Sequence, residues 1–317
     1  MAHFNTGHTK AFELNYHIQT KGDRNWQQYF LKPSIGIGFG YINLANKQYL
    51  GNGYSIFPFV DFPLNKADRV KLRLQFGYGL GFVEKNFDRT DNYKNLALGS
   101  KLNVFIGINQ KAEIKIADNF KTSIGFSFWH FSNGAFKTPN LGINIPALNI
   151  GVKYGFNKID AVNFTAVDRE KKWNTLLLLN FGAKEIAPFN GPKYPIASIV
   201  FEKTKVVSNK SDLGVGLDVF YNASLPVLIE RDTNLTSGNF DAIRLGVHGA
   251  WFLNLGKLQY YFNFGGYFIN HYRDRGMFFH RIGSRYALND KFILNLSLKT
   301  HFAVADFVEF GIAYKIK

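Results

Sequence analysis

From end to end the chain alternates apolar and polar residues with a period of two. Ile35, Ile37, Phe39 and Tyr41 interleave with Gly36, Gly38 and Gly40. Val70, Leu72, Leu74, Phe76, Tyr78, Leu80 and Phe82 interleave with Lys71, Arg73, Gln75, Gly77, Gly79 and Gly81. Leu148, Ile150, Val152, Tyr154 and Phe156 face away from Asn149, Gly151, Lys153 and Gly155. Near the end, Val308, Phe310, Ile312, Tyr314 and Ile316 oppose Glu309, Gly311, Ala313 and Lys315. In an extended strand residues two apart share a face, so each stretch predicts a strand with one apolar and one small or polar face. Such stretches fall at 11–20, 32–44, 53–65, 70–85, 98–116, 120–133, 142–157 and 171–186. They continue at 193–208, 211–225, 239–254, 257–270, 277–289, 291–303 and 306–317.

Outward apolar and inward polar faces, sustained over so many strands, predict an all-β fold, a transmembrane antiparallel up-and-down β-barrel. A soluble sandwich would carry shorter strands and a polar outer face. Single-chain bacterial barrels have an even number of strands, so one of the fifteen stretches, the N-terminal one by preference, is discounted. About fourteen strands are expected, in a range of roughly 12–16. Residues 1–317 read as a single barrel domain. Connections near 117–119, 208–210, 254–256 and 289–291 are tight, and those at 86–97, 132–144, 226–238 and 270–276 are longer. Short turns belong on the periplasmic side and long loops outside. The connection at 157–171 is long on the side that should be short, and a seam near Asn157 is one reading of it.

Composition agrees with this. The chain holds 33 Phe, 16 Tyr and 30 Gly among 317 residues, and its hydrophobic content is 46%. Its mean hydropathy is nevertheless only -0.13, as regular dilution by polar residues requires. No run approaches the roughly 18 apolar residues of a spanning helix, a test that barrel strands of about 9–11 residues escape. The glycine alternations at 36–40 and 77–81 open no helix, so they are not nucleotide loops. They line a lumen where bulk is unwelcome.

Against this background one strand stands out. Thr122, Ile124, Phe126, Phe128, His130 and Ser132 share a face, so an imidazole and a hydroxyl end an otherwise greasy surface. A serine hydroxyl is a poor nucleophile until a neighbouring base takes its proton, and an i,i+2 pair brings the two within reach. That pairing points to acyl chemistry on a greasy substrate. His17, His248 and His301 fall on inward faces and read as lumen filling, whereas His280 shares the outward phase of Phe278 and Ile282. The histidines show no spacing that suggests a zinc site, so neither metal nor organic cofactor is expected.

Residues 130–144 read His-Phe-Ser-Asn-Gly-Ala-Phe-Lys-Thr-Pro-Asn-Leu-Gly-Ile-Asn. This resembles the lipid A 3-O-deacylase (PagL-type) family, including the longer versions labelled acyloxyacyl hydrolase. The family pattern is His-x-Ser-Asn on one strand, a loop with Asn-x-Gly, then an acid opening the next strand. His130, Ser132, Asn133, Asn140 and Gly142 match it, and the likeness runs over about 11–157, with generic barrel strands over 171–317. The resemblance implies a serine esterase with Ser132 as nucleophile and His130 as base. It also implies a lipid A or lipopolysaccharide substrate in the outer leaflet of the bacterial outer membrane.

Where the family carries its acid, this chain has Asn144. Its even-numbered phase is that of Leu148 and Ile150, so it should face outward beside His130 if Pro146 makes no bulge. An Asn carbonyl can orient the imidazole but supplies no charge; in serine proteases that replacement costs about 10⁴ in turnover. The enzyme is then slower, or another carboxylate substitutes, or catalysis is lost; a working enzyme with an orienting Asn is the reading adopted. Asn133, Gly134, Asn140 and Gly142 are candidate oxyanion or substrate contacts, and each reads equally as part of a turn.

The formal net charge of +15 suits phosphorylated lipid or an anionic membrane surface. Its basic residues are scattered singly along strands and turns, which argues against nucleic acid. Residues 1–10 contain no charged start followed by an apolar core, so a secretion leader is not expected within this sequence. The rival readings are a non-enzymatic porin or transport barrel with a basic lumen, and a structural or adhesive barrel. The sequence does not indicate an oligomeric state.

Overall fold

The computed structural model describes residues 7–156, 162–273, 275–302 and 304–316. The expectation about a leader therefore falls mainly on residues outside this range, as does the proposed seam at Asn157.

Two sheets account for the strands. The first holds β1 (Lys10–Gln19), β2 (Ser34–Asn46), β3 (Gly51–Pro63), β4 (Val70–Val83), β5 (Leu102–Lys115), β6 (Phe120–Ser132) and β7 (Ile143–Tyr154) in sequence order. The second holds β8 (Trp173–Glu185), β9 (Lys193–Val206), β10 (Ser211–Asn222), β11 (Ile243–Leu255), β12 (Leu258–Asn270), β13 (Phe278–Ala287), β14 (Phe292–His301) and β15 (Val304–Ile316). β15 pairs back onto β8, so this second sheet is a closed barrel. Every pairing in both sheets is antiparallel between neighbours, as an up-and-down meander requires.

All fifteen predicted stretches are strands, so the N-terminal one is real. The parity rule describes a single ring, and here the strands divide between two sheets, of which the closed one has eight. The chain forms two compact units, one of Met1–Asn133 and Pro139–Ala166, the other of Gly134–Thr138 and Val167–Lys317. The long connection on the short-turn side is thereby explained, since it leads from the last strand of one sheet to the first of the other.

Among the described residues, two α-helices lie in connections that carried no helical period. α1 (Asn25–Tyr29) follows β1, and α2 (Ser224–Thr233) follows β10. α2 starts where Asn222 Oδ1 accepts from Ser224 N and Oγ at 3.0 and 2.7 Å. It stops at Asn234, whose φ of 56° is left-handed. Its buried residues Leu225, Leu228 and Ile229 fall at i, i+3 and i+4 and so share one face.

Inward faces are more varied than expected. In the first unit Asp61, Arg73, Gln75, Lys111 and Glu113 form a buried polar zone, with Arg73 Nε 3.0 Å from Asp61 Oδ1. Towards the end of β6 the inward face becomes apolar instead, with Trp129 and Phe131 buried. The ring centres of Phe57, Trp129 and Phe131 lie 4.7, 5.4 and 5.1 Å from that of Phe105. Glycine makes the room: a Cβ at Gly81 would sit 2.6 Å from Phe131 Cδ1. In the second unit the interior is a network of paired ions. Arg285 binds Glu202 at 2.6 and 3.1 Å, and Arg281 binds Asp218 at 2.5 Å and Glu309 at 2.6 Å. His248 lies between Asp218 and Glu202 at 2.6 and 3.3 Å. His17 and His301 also point inward, each near a buried aspartate, whereas His280 sits outside among Phe262, Phe264 and Phe302.

Removing a buried aromatic ring from a packed core costs both transfer energy and the cavity left behind. Phe131→Ala should lower unfolding stability by about 3–5 kcal/mol, measured from urea unfolding of protein inserted in lipid vesicles. An unchanged midpoint would mean that the aromatic cluster does not hold the first sheet.

Candidate active site

β6 delivers the site because its register with both neighbours is unbroken there. His130 lies opposite Ile106 of β5 on one side and Asn144 of β7 on the other, and Ser132 lies opposite Val104. Pro146 sits opposite Phe128 with no bulge. Directly opposed residues of an antiparallel pair share a face, so His130, Ser132 and Asn144 are on the same side as Ile124 and Phe126, which are exposed. Trp129 and Phe131 pack inward and anchor the strand from behind.

The three side chains meet. His130 Nδ1 is 2.6 Å from Asn144 Oδ1, and His130 Nε2 is 2.9 Å from Ser132 Oγ. An amide oxygen only accepts, so Nδ1 carries the proton and donates it to Asn144. Nε2 is then bare and accepts from the Ser132 hydroxyl. Ser132 is buried, at 7% exposure.

The loop after β6 is braced by a segment that sequence reasoning passed over. Asn133 N donates to Asn140 Oδ1 at 2.9 Å, and Asn133 Nδ2 donates to Ser100 Oγ, also at 2.9 Å. Gly142 N donates to Ala97 O at 2.9 Å and Leu141 N to Leu96 O at 3.4 Å. The bracing loop between β4 and β5 is itself tied down at Glu84, which accepts from Asn52 N at 2.8 Å and Asn52 Nδ2 at 3.0 Å. Those bonds, the backbone one foremost, hold the Glu84 carboxyl below its ordinary value. Ser100 fell within the predicted strand 98–116, whereas the strand itself begins at Leu102, so nothing in the sequence marked it as a loop residue. Leu96 and Ala97 act through backbone carbonyls, which no residue type announces.

Gly142 has a φ of +77°, and a Cβ there would lie 3.0 Å from His130 Cε1. Glycine is needed on both counts, for the left-handed backbone and for the ring beside it. The bonds just described occupy the N–H groups of Asn133 and Gly142, leaving Gly134 N and Asn140 Nδ2 as donors. Among the described residues no three acidic or imidazole side chains converge to hold a metal ion.

With this geometry in place the family relationship is decided by two matches. The profile of lipid A 3-O-deacylase (PagL) matches residues 10–153, and that of the acyloxyacyl hydrolase C-terminal domain matches residues 172–317. The chain belongs to the PagL-type lipid A deacylase family. The second match gives the later strands, generic by sequence, a place in the same family. No curated protein matches the chain. Among solved structures, a designed transmembrane β-barrel covers 47% of this chain with all of its own length, at 16% identity and a TM-score of 0.29. The FrpB iron transporter from Neisseria meningitidis aligns over 97% of this chain and 64% of its own, at 9% identity and a TM-score of 0.23. A mutant Rh. blastica porin aligns over 97% and 90%, at 8% identity and a TM-score of 0.20. Likenesses this slight decide nothing further.

A methyl group at position 142 would strain the backbone and push the His130 ring off its line to Ser132. Gly142→Ala should lower turnover of a soluble ester by about tenfold, since small displacements of catalytic groups are expensive. Folding, followed by heat-modifiable gel migration, should be kept. Full activity in that variant would show that His130 does not need its present position.

Proposed function

We propose that this chain is an outer-membrane serine esterase that removes an ester-linked acyl chain from lipid A or a related glycolipid. The observation that carries the proposal is His130 bridging Ser132 and Asn144 on the outward face of β6 and β7, where an acyl chain in the membrane arrives directly. Family membership supports lipid A as substrate and the bacterial outer membrane as location. The +15 formal charge supports retention of a phosphorylated lipid.

In this mechanism Ser132 Oγ attacks the ester carbonyl as its proton passes to His130 Nε2. The oxyanion of the tetrahedral intermediate is met by Gly134 N and Asn140 Nδ2, the donors left over in the loop. Collapse breaks the ester C–O bond, and the sugar hydroxyl leaves with the proton from His130. Water then gives its proton to the same nitrogen and attacks the acyl-serine. The second tetrahedral intermediate collapses with cleavage of the Ser132 Oγ–acyl bond, His130 returns the proton to Ser132 Oγ, and the fatty acid leaves. Throughout, Asn144 Oδ1 accepts from Nδ1 and keeps Nε2 turned to Ser132.

A porin reading has less support. In the closed barrel Glu202, Asp218, His248, Arg281, Arg285 and Glu309 fill the interior with mutually bonded, buried side chains. A wide basic lumen for anions would leave its cations unpaired and wet.

Ser132→Ala should abolish release of fatty acid from lipid A, measured by mass spectrometry, with barrel migration on gels unchanged. Full activity in that variant would sink the serine mechanism. Asn144→Asp should raise turnover by about tenfold or more, because a charge beside the forming imidazolium is usually a large catalytic effect. Desolvation opposes the change by favouring the protonated acid, but the site lies at the end of β6, within reach of headgroups and water. An unchanged rate, with Asn144→Ala also neutral, would remove Asn144 from the mechanism.

A further inference from the structure

Between Asn133 and Pro139 the chain changes allegiance, since Gly134–Thr138 belong to the second unit. Within that unit the segment is gripped at two points by one residue, Glu185, the last of β8. Glu185 N donates to Ala135 O at 3.0 Å. Its Oε1 accepts from Thr138 Oγ1 at 2.7 Å and from Thr138 N at 3.3 Å. The carboxylate is 2% exposed, accepts from Asn190 N at 2.8 Å and pairs with Lys193. Lys193 Nζ in turn lies 5.2 Å from the centre of the Phe136 ring.

The segment needs such a grip. Gly134 and Ala135 follow one another with φ of 61° and 63°, an arrangement that a non-glycine residue leaves unless its neighbours hold it. Gly134 is also pressed against β15, where a Cβ would lie 2.3 Å from Val308 Cγ2. The five residues are bounded by Asn133, next to the proposed nucleophile, and by Pro139-Asn140, whose amide oxygen takes the Asn133 N–H. Where Ala135 and Thr138 are fixed, the chain leaves Ser132-Asn133 and returns at Asn140 along a set path. If they are released, the Asn133–Asn140 bond and the donor at Gly134 N lose their frame.

We propose that Glu185 is a positioning residue for the esterase site, acting through Ala135 and Thr138 on the loop that follows Ser132. This rests on the function proposed above.

The test compares Glu185→Ala, Glu185→Gln and Thr138→Val with the full-length wild-type protein in lipid vesicles. On a soluble ester, Glu185→Ala should lower kcat per folded molecule by about tenfold, less than the roughly hundredfold that a 1 Å misplacement costs. KM should stay within about twofold, because substrate binding is not what the clamp serves. Glu185→Gln keeps an acceptor for Thr138 and should recover to within about threefold of wild type. Thr138→Val, which removes one hydroxyl and retains the shape, should fall between them and serves if Glu185→Ala does not fold. Hydrogen exchange of amides in 133–142 should quicken in the impaired variants. A purely structural role would reduce the folded fraction, read by heat-modifiable migration, without moving kcat per folded molecule or the exchange of that loop. Wild-type kcat per folded molecule, or unchanged exchange over 133–142, overturns the inference. Absence of Ser132-dependent turnover in the wild type would instead overturn the serine mechanism, and the exchange measurement would still decide whether Glu185 orders the loop.

Discussion

A bilayer offers the backbone no water, and the rest of this structure follows from that. Each N–H and C=O that crosses the hydrocarbon must find a partner in the protein, and neighbouring antiparallel strands supply it. The ladder then dictates where every side chain points, because alternate residues must take opposite faces. The candidate site is a product of this ladder. His130 meets Asn144 because β6 and β7 pair in one register. A slip of one residue would set His130 opposite Ile143 or Ile145, and the hydrogen bond that orients the imidazole would be gone. The same ladder explains how a Ser-His pair can be placed on the face that meets lipid without a special loop to carry it.

The interiors show two answers to the problem of filling a narrow sheet. Near the site the first unit uses aromatic rings set against glycines, a packed support that keeps β6 straight behind His130 and Ser132. In the second unit the buried groups are charged, and nearly every acid has an Arg, Lys or His against it, including Asp306 with Lys184 and Lys299. Buried ions are tolerable when their remaining bonds are satisfied, and removing one member strands the others. Such a network suits a rigid body better than a conduit.

Much of this was legible in the sequence, and for one reason. A period of two states strand, face and environment together, so fifteen strands, the inward histidines and the shared face of His130, Ser132 and Asn144 could all be read from it. The misreadings lie where that period stops carrying information. Trp129 and Phe131 obey the alternation yet fill the interior with rings, because apolar character on an inward face has no separate signature. α2 occupies only ten residues of a loop, too few for a helical period to emerge. Ser100 and Ala97 brace the loop after β6 from a distant connection, and the Glu185–Thr138 bond spans 47 residues. The expected count of about fourteen strands fits the fifteen observed closely; what an alternating pattern leaves unsaid is which strands share a ring.

Asn144 shows how the membrane bears on the chemistry itself. In the proposed mechanism a carboxylate in its place would stabilise the imidazolium formed as Ser132 attacks, yet before reaction it would stand on a surface turned to lipid. Low dielectric enlarges both effects, the attraction during reaction and the desolvation penalty before it. An amide avoids the second at the expense of the first, and it secures the remaining need, which is orientation. At 2.6 Å its oxygen fixes which nitrogen of His130 carries the proton, and so which one faces the serine. In the proposed mechanism, orientation without charge directs proton transfer and leaves the stabilisation of the transition state to donors held elsewhere. On that proposal the weight of catalysis shifts to the loop between Asn133 and Gly142, and to whatever keeps that loop still.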